Sequence, residues 1–342
     1  MPFVAAEGGA RLLGGARHAT MLDFRHILCP TDLSPASDSA LRYAAALARA
    51  AGAHLSVCHY AISLPPPGTR ARAEEQARLR ECAAAALAAE CGATGLTGLN
   101  WSVLVLEGDT AAEAITTAAG ECAVDLIVMC SRRRPLRAAL LGSTAEAVYR
   151  QAPCSVLITH PDDEREWVAG GVPAGRRVLV AHDFSNDSEL ALRHALAFAR
   201  QYGAELHLLH VLARPHADGP EVAWTADGTE NVYRAAAERL RRAVAAETDD
   251  WLAARPAVRW GKPYREVLEY AREQAVELVC MGAHGAGFGL AALFGSNVDR
   301  VLRQAPCPVL VARPPRPALP AYATPARSAA ATATARLAPE IR

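Results

Sequence analysis

The residues best suited to chemistry are glycines, spaced as a ligand loop would need them. Gly282-Ala-His-Gly285 is followed by nine residues and then by Gly295-Ser296-Asn297, giving G-x-x-G-x9-G-S. Glycine lets main-chain N–H groups come up against phosphate oxygens with no Cβ in the way, and at such a site it can supply a positive φ. A helix opening at Ser296 would add its free N–H groups and the positive end of its dipole, and the Ser296 hydroxyl can donate to the same oxygens. Two glycines after a strand are ordinarily a tight turn, but the full spacing is more specific. Gly287 and Gly289 inside the loop supply flexibility. His284 is a candidate base, but the sequence shows no carboxylate partner for it, so it is expected to be a loop residue near the ligand. No G-x-x-x-x-G-K-[ST] occurs, and Lys262, the only lysine, stands outside the loop.

In an open parallel sheet, ligands bind beyond the carboxyl ends of the strands. Ala181-His-Asp183-Phe-Ser185 puts a carboxylate at one such end, able to bond a base or sugar or to hold a metal through water. His210-Val211 offers an apolar edge at another.

The elements that must position these residues occur twice. Val148-Tyr-Arg-Gln-Ala-Pro-Cys-Ser-Val-Leu-Ile158 returns as Val301-Leu-Arg-Gln-Ala-Pro-Cys-Pro-Val-Leu-Val311, at an offset of 153. Arg25-His-Ile-Leu-Cys-Pro-Thr-Asp32 returns as Arg176-Arg-Val-Leu-Val-Ala-His-Asp183, at an offset of 151. In the first half, apolar runs predict strands over 27–30, 54–60, 101–106, 126–130 and 155–159, and helices over 37–51, 72–90, 110–120 and 144–151. In the second half the strands fall over 178–181, 205–211, 258–260, 278–281 and 309–312. This alternation predicts an α/β fold of two tandem Rossmann-like domains, each a five-stranded, mainly parallel sheet with helices on both faces. The expected boundaries are an extension over 1–22, domain 1 over 23–160, a linker over 161–175, domain 2 over 176–313 and a disordered Ala/Pro/Arg tail over 314–342. Met21, just before the first strand, is a second candidate start.

Composition excludes several classes. Lys and Arg number 36 against 36 Asp and Glu, so no net field recruits nucleic acid or an anionic membrane. No apolar run reaches the roughly 18 residues of a membrane span, and no h-region suits a signal peptide. The nine cysteines contain no C-x-x-C, which points away from zinc and toward buried free thiols in the cytoplasm.

The G-x-x-G-x9-G-S loop, the strand-tip Asp183 and the Ala305-Pro-Cys-Pro-Val-Leu-Val311 stretch together resemble the universal stress protein family, over about 24–312. That resemblance implies an adenine nucleotide alpha hydrolase-like domain that binds ATP, with or without Mg2+. It implies that Asp183 and Val211 meet the adenosine and that Gly282, Gly285, Gly295, Ser296 and Asn297 hold the phosphates, with Ala181 and His284 also counted as cofactor-binding residues. It also implies that the two domains pair through strands 155–159 and 309–312 as a pseudo-dimer; higher oligomers and a protein partner stay open.

The first half departs from the pattern. Asp32 and Gly142-Ser143-Thr144 are kept, but Cys130 and Arg133 stand where Gly282 and Gly285 would, Tyr60 replaces Val211, and the loop is one residue shorter. ATP binding is therefore expected in domain 2 and weak or absent in domain 1. Arg132, Arg133, Arg134 and Arg137 are expected to be a solvated run, with an anion site as the rival. The expected function is a cytoplasmic ATP-binding stress-response switch or scaffold with at most weak ATPase activity. The alternatives are a slow nucleotide hydrolase or transferase and a thiol redox sensor pairing Cys29 with Cys130.

Overall fold

The computed structural model describes residues 23–61, 65–66, 68–91, 98–131, 141–160, 177–213, 226–247, 254–285 and 296–315. The expected extension and linker, the tail from 316 onward, the arginines from 132 to 137, and Gly287, Gly289 and Gly295 lie outside these residues.

Domain 1 runs β1 (His26–Pro30), α1 (Pro35–Ala51), β2 (His54–Tyr60), α2 (Arg70–Cys91), β3 (Trp101–Leu106), α3 (Ala111–Glu121), β4 (Leu126–Cys130), α4 (Ser143–Gln151) and β5 (Ser155–Thr159). Domain 2 repeats the order as β6 (Arg177–Ala181), α5 (Asn186–Tyr202), β7 (Glu205–Leu212), α6 (Ala226–Glu247), β8 (Ala254–Trp260), α7 (Pro263–Glu273), β9 (Leu278–Gly282), α8 (Ser296–Gln304) and β10 (Val309–Ala312). Both first helices are bounded by local chemistry. Ser34 and Ser185 occupy the N-caps, and Gly52 and Gly203 close the C-termini at φ +65° and +66°, where a Cβ would be strained. One strand is longer than its sequence pattern suggests: β8 begins at Ala254, not at residue 258.

The two five-stranded sheets form one sheet of ten strands in the order β3-β2-β1-β4-β5-β10-β9-β6-β7-β8. Every pairing is parallel except β5 with β10, where Val309 opposes Ile158 and Val311 opposes Val156. This antiparallel join covers two edges that would otherwise expose backbone N–H and C=O groups. Helices cover both faces, and each face carries a core continuous across the join. Leu157 and Leu310 belong to the layer under α1 and α5, while Val156, Ile158, Val309 and Val311 belong to the layer under α4 and α8.

Charges fasten the same junction. Arg150 lies 3.0 Å from Asp299 and 3.2 Å from Glu146, and Arg303 lies 2.8 Å from Glu146 and 2.9 Å from Asp299, so α4 and α8 share a square of two cations and two carboxylates. The Tyr149 hydroxyl also donates to Asp299. Burial pushes the Asp299 carboxyl up, but hydrogen bonds from Arg303 and Tyr149 and the charges of Arg303 and Arg150 outweigh it and hold it below the usual range. Buried Arg313, just past β10, donates to the carbonyls of Tyr149 and Ala152 at the C-terminus of α4, where a cation is favoured.

Candidate functional site

The carboxyl ends of β6, β7 and β9 and the start of α8 converge on one cavity of about 140 Å³. Its walls include Ala181, Asp183, Val211, Gly282, His284, Gly285 and Asn297, so seven of the nine residues named from sequence come together. Ser296 opens α8 and is exposed, but it is not part of the wall. Gly295 lies outside the described residues.

Asp183 is held by the turn that follows β6. Its Oδ1 accepts from the Ser185 main-chain N–H at 3.1 Å and from the Ser185 hydroxyl at 2.6 Å, and Ser185 Oγ in turn accepts from Ser188 N–H at 3.2 Å as the cap of α5. The turn forces Phe184 to φ +64°, and Leu33 sits at +61° in the matching turn of domain 1. Left-handed backbone at a bulky residue costs about 1 kcal/mol or more, so both domains maintain this strand-tip turn against local preference. The Phe184 ring packs 4.6 Å from the His210 ring, with Arg239 4.0 Å from the Phe184 centroid. His182, buried in the same wall, accepts at Nδ1 from Phe184 N–H. Burial lowers its pKa, countered in part by Glu189 and Asp183.

The glycines have a different physical role from the one expected. Neither Gly282 nor Gly285 has a φ in the left-handed region, so positive φ is not what they supply. A Cβ on Gly282 would lie 2.8 Å from Asp187 C and Cβ and from Ser188 N, against the first turn of α5. A Cβ on Gly285 would lie 2.8 Å from Asp183 Oδ2. The first glycine lets β9 meet a helix start, and the second keeps space beside a carboxylate oxygen.

His284 also departs from expectation, because it does have a carboxylate partner. Asp187 Oδ2 lies 2.8 Å from His284 Nδ1 and accepts from the His284 main-chain N–H at 3.1 Å. No spacing rule could reveal this pair, since the residues are 97 apart in sequence. Sequence reasoning placed His182 and His210 at ligand-binding strand ends without giving them a role, and missed Pro263 and Tyr264 in the wall. For the last two, their place just beyond β8 was an available signal. Arg300 lies 4.4 Å from the Tyr264 ring centroid, and Arg265 donates to the Tyr264 hydroxyl at 2.9 Å, giving this rim a cationic character.

The equivalent cavity in domain 1 is about 600 Å³ and is lined by Asp32, His59, Tyr60, Cys130, Ser143 and Thr144 among others. Asp32 repeats the Asp183 geometry, with Ser34 N–H at 3.1 Å and Ser34 Oγ at 2.5 Å from its Oδ1. The Tyr60 hydroxyl, however, is turned to the Gly108 carbonyl at 2.9 Å. Cys29 and Cys58 are fully buried, and burial pushes both thiols up, with Cys130 near Cys29 adding to the effect. Thiolate chemistry is disfavoured there. Among the described residues, no group of three or more His, Cys, Asp or Glu could hold a metal ion, and no helix is long and apolar enough to cross a membrane.

Comparison with known proteins agrees with this architecture. The model of the universal stress protein family matches residues 23–160 and 175–313. A universal stress protein of Mycolicibacterium smegmatis is 31% identical over 304 residues, covering 84% of this chain and 97% of that protein. The universal stress protein Rv2623 of Mycobacterium tuberculosis is 33% identical over 195 residues, 56% of this chain and 62% of that one. A universal stress protein structure from Archaeoglobus fulgidus shares the fold at a TM-score of 0.58 and 24% identity, covering 84% of this chain and 98% of that one. With both halves matched by one family model, the chain belongs to the universal stress protein family.

Proposed function

We propose that this protein is a cytoplasmic, nucleotide-dependent stress-response switch or scaffold that holds one ATP in domain 2. The observation that carries this is the convergence of Asp183, Val211, Gly282, Gly285 and Asn297, from four separate segments, on one cavity. The residues fit the ligand. Asp183 Oδ2 faces the space that Gly285 leaves open and can accept from a ribose hydroxyl. The N-terminus of α8 presents free N–H groups and a positive dipole end to phosphates. At about 140 Å³ the cavity takes a base or sugar, so the phosphates extend from it toward Ser296 and Asn297. Mg2+ would arrive on the phosphates, because no described cluster supplies a protein cage.

The test is bound nucleotide per chain, by calorimetric titration of the full-length protein with ATP, ADP and AMP. One site is expected. In Gly285→Arg that site is lost while the unfolding midpoint holds. Two equal sites, or a Gly285→Arg protein that binds as tightly as wild type, would overturn the assignment to domain 2.

A further inference from the structure

The ten-stranded sheet ends in two edges, β3 and β8, and only one of them is blunted. In β8, the Gly261 N–H donates to the Leu212 carbonyl, so odd-numbered residues bond β7 and even-numbered ones, Pro256 among them, face outward. Pro256 has no N–H to offer, and Arg255 and Arg259 stand beside it, which are ordinary defences of a sheet edge. β3 carries no such defence. The Leu55 N–H donates to the Asn100 carbonyl and the Ala61 N–H to the Leu106 carbonyl, so the even-numbered residues of β3 bond β2. The N–H and C=O groups of Trp101, Val103 and Val105 therefore point away from the sheet, and no described strand meets them. From Asn100 to Leu106 this edge has neither a charge nor a proline.

We propose that β3 is a homodimerisation edge, paired antiparallel with β3 of a second copy of this chain about a two-fold axis at Val103. In that register Val103 meets its own counterpart and Trp101 meets Val105 at both ends of the ladder, each residue donating one main-chain bond and accepting one. An aromatic residue opposite a β-branched one is a favourable cross-strand pair. Charge fits the same register. Exposed Arg80 lies 4.9 Å from the Trp101 ring centroid, and on that face Val105 of the second copy is followed by its exposed Glu107. Arg72 of its own chain keeps that carboxylate at the edge, so a cation meets a carboxylate on each side of the axis. The chain already uses the device once, since β5 and β10 join the two domains as antiparallel edges centred on Leu157 and Leu310. Pairing closes at two copies, because both edges left outside are β8 with its outward proline. Domain 1, which lacks the loop glycines, then has assembly as its task.

The test uses the full-length protein. Sedimentation velocity against concentration measures association, and hydrogen exchange read at single amides locates it. Val103→Pro removes an outward N–H and no bond to β2, so domain 1 keeps its internal ladder. It is expected to raise the dimer dissociation constant at least tenfold. In the wild type, exchange at Trp101, Val103 and Val105 is expected to slow at least tenfold as the dimer fraction rises, while Ser102, Leu104 and Leu106 stay slow throughout. A wild type that remains monomeric up to its solubility limit, a Val103→Pro protein that associates as tightly, or a dimer whose three outward amides exchange as fast as in the monomer would each overturn the proposal. Should Val103→Pro not fold, the wild-type amides decide it alone.

Discussion

The fourth strands of the two domains, Leu126–Cys130 and Leu278–Gly282, run alike until their last residue. At Gly282 the strand end and the first turn of α5 approach more closely than any Cβ allows, and Asp187 occupies that approach. At Cys130 a side chain stands where Gly282 has none, and Ala36 has no carboxylate to offer. The rims diverge as well. By the alignment of their helix starts, Lys262, Arg265 and Arg300 match Thr110, Glu113 and Ala147. Cavity size runs the other way, with about 600 Å³ in domain 1 against about 140 Å³ in domain 2. What sets domain 2 apart is therefore charge and close approach rather than volume, and a glycine in such a loop can reflect what the protein packs against itself as much as what a ligand touches.

The largest test of this contrast moves the domain 1 residue into domain 2. Gly282→Cys must displace the backbone of Asp187 and Ser188, and overpacking of that kind costs about 1–3 kcal/mol. Gly282 also lines the cavity, so the added side chain and the displaced turn are expected to lower ATP affinity at least tenfold. Urea unfolding and calorimetry check both effects. If neither moves, the start of α5 yields easily and the close approach is not what distinguishes the domains.

A second comparison concerns the charged square, whose members match in pairs: Glu146 with Asp299, Arg150 with Arg303. The symmetry breaks at Tyr149, which donates to Asp299, because its counterpart is Leu302. Asp299→Ala is expected to cost about 2 kcal/mol, and Glu146→Ala about 1 kcal/mol less, since each removes one acceptor from both arginines but only the former also removes the acceptor of the buried Tyr149 hydroxyl. Equal losses in denaturant unfolding would mean the tyrosine bond adds nothing.

His194 gives a third contrast, because its counterpart in α1 is Tyr43. Its ring lies 5.1 Å from that of Phe24, and Nε2 is 3.4 Å from Ser155 Oγ, so it fills the seam between domains. Burial, with Arg193 adding, lowers its pKa from 6.5 to about 4. The folded value lies below the unfolded one, so the unfolded chain binds more protons between these limits. Stability is then full above about pH 6.5 and declines as pH falls toward 4, by on the order of 2 kcal/mol after allowance for the ring's partial exposure. His194→Phe should flatten that part of the unfolding profile; an unchanged slope would assign it to other groups.

The duplication and nearly all strands were visible in sequence because parallel, doubly covered strands are short apolar runs. The start of β8 was not, for a reason the sheet explains. Arg255 and Pro256 break the apolar pattern, but β8 is an edge strand, where a proline costs no ladder bond on its open side. The cavity was foreseeable because strand ends in such sheets carry ligands; six of its residues stand at or just after those ends, and Asn297 was named through the family resemblance. The Asp187–His284 pair and the four-charge square were not foreseeable, because each joins residues about a hundred or more positions apart through side-chain geometry that periodicity does not encode.

The smallest expected effect comes from the reverse exchange. Cys130→Gly removes a half-buried thiol and restores one loop glycine to domain 1, at a cost of about 1 kcal/mol or less in stability. It restores neither the carboxylate at position 36 nor the rim cations at 110, 113 and 147, so nucleotide stoichiometry is expected to stay at one per chain. Calorimetry decides it. A second site appearing in this variant would show that the wider domain 1 cavity, with Asp32 held as Asp183 is, lacked only room for the phosphates, and that the charge difference between the rims is secondary.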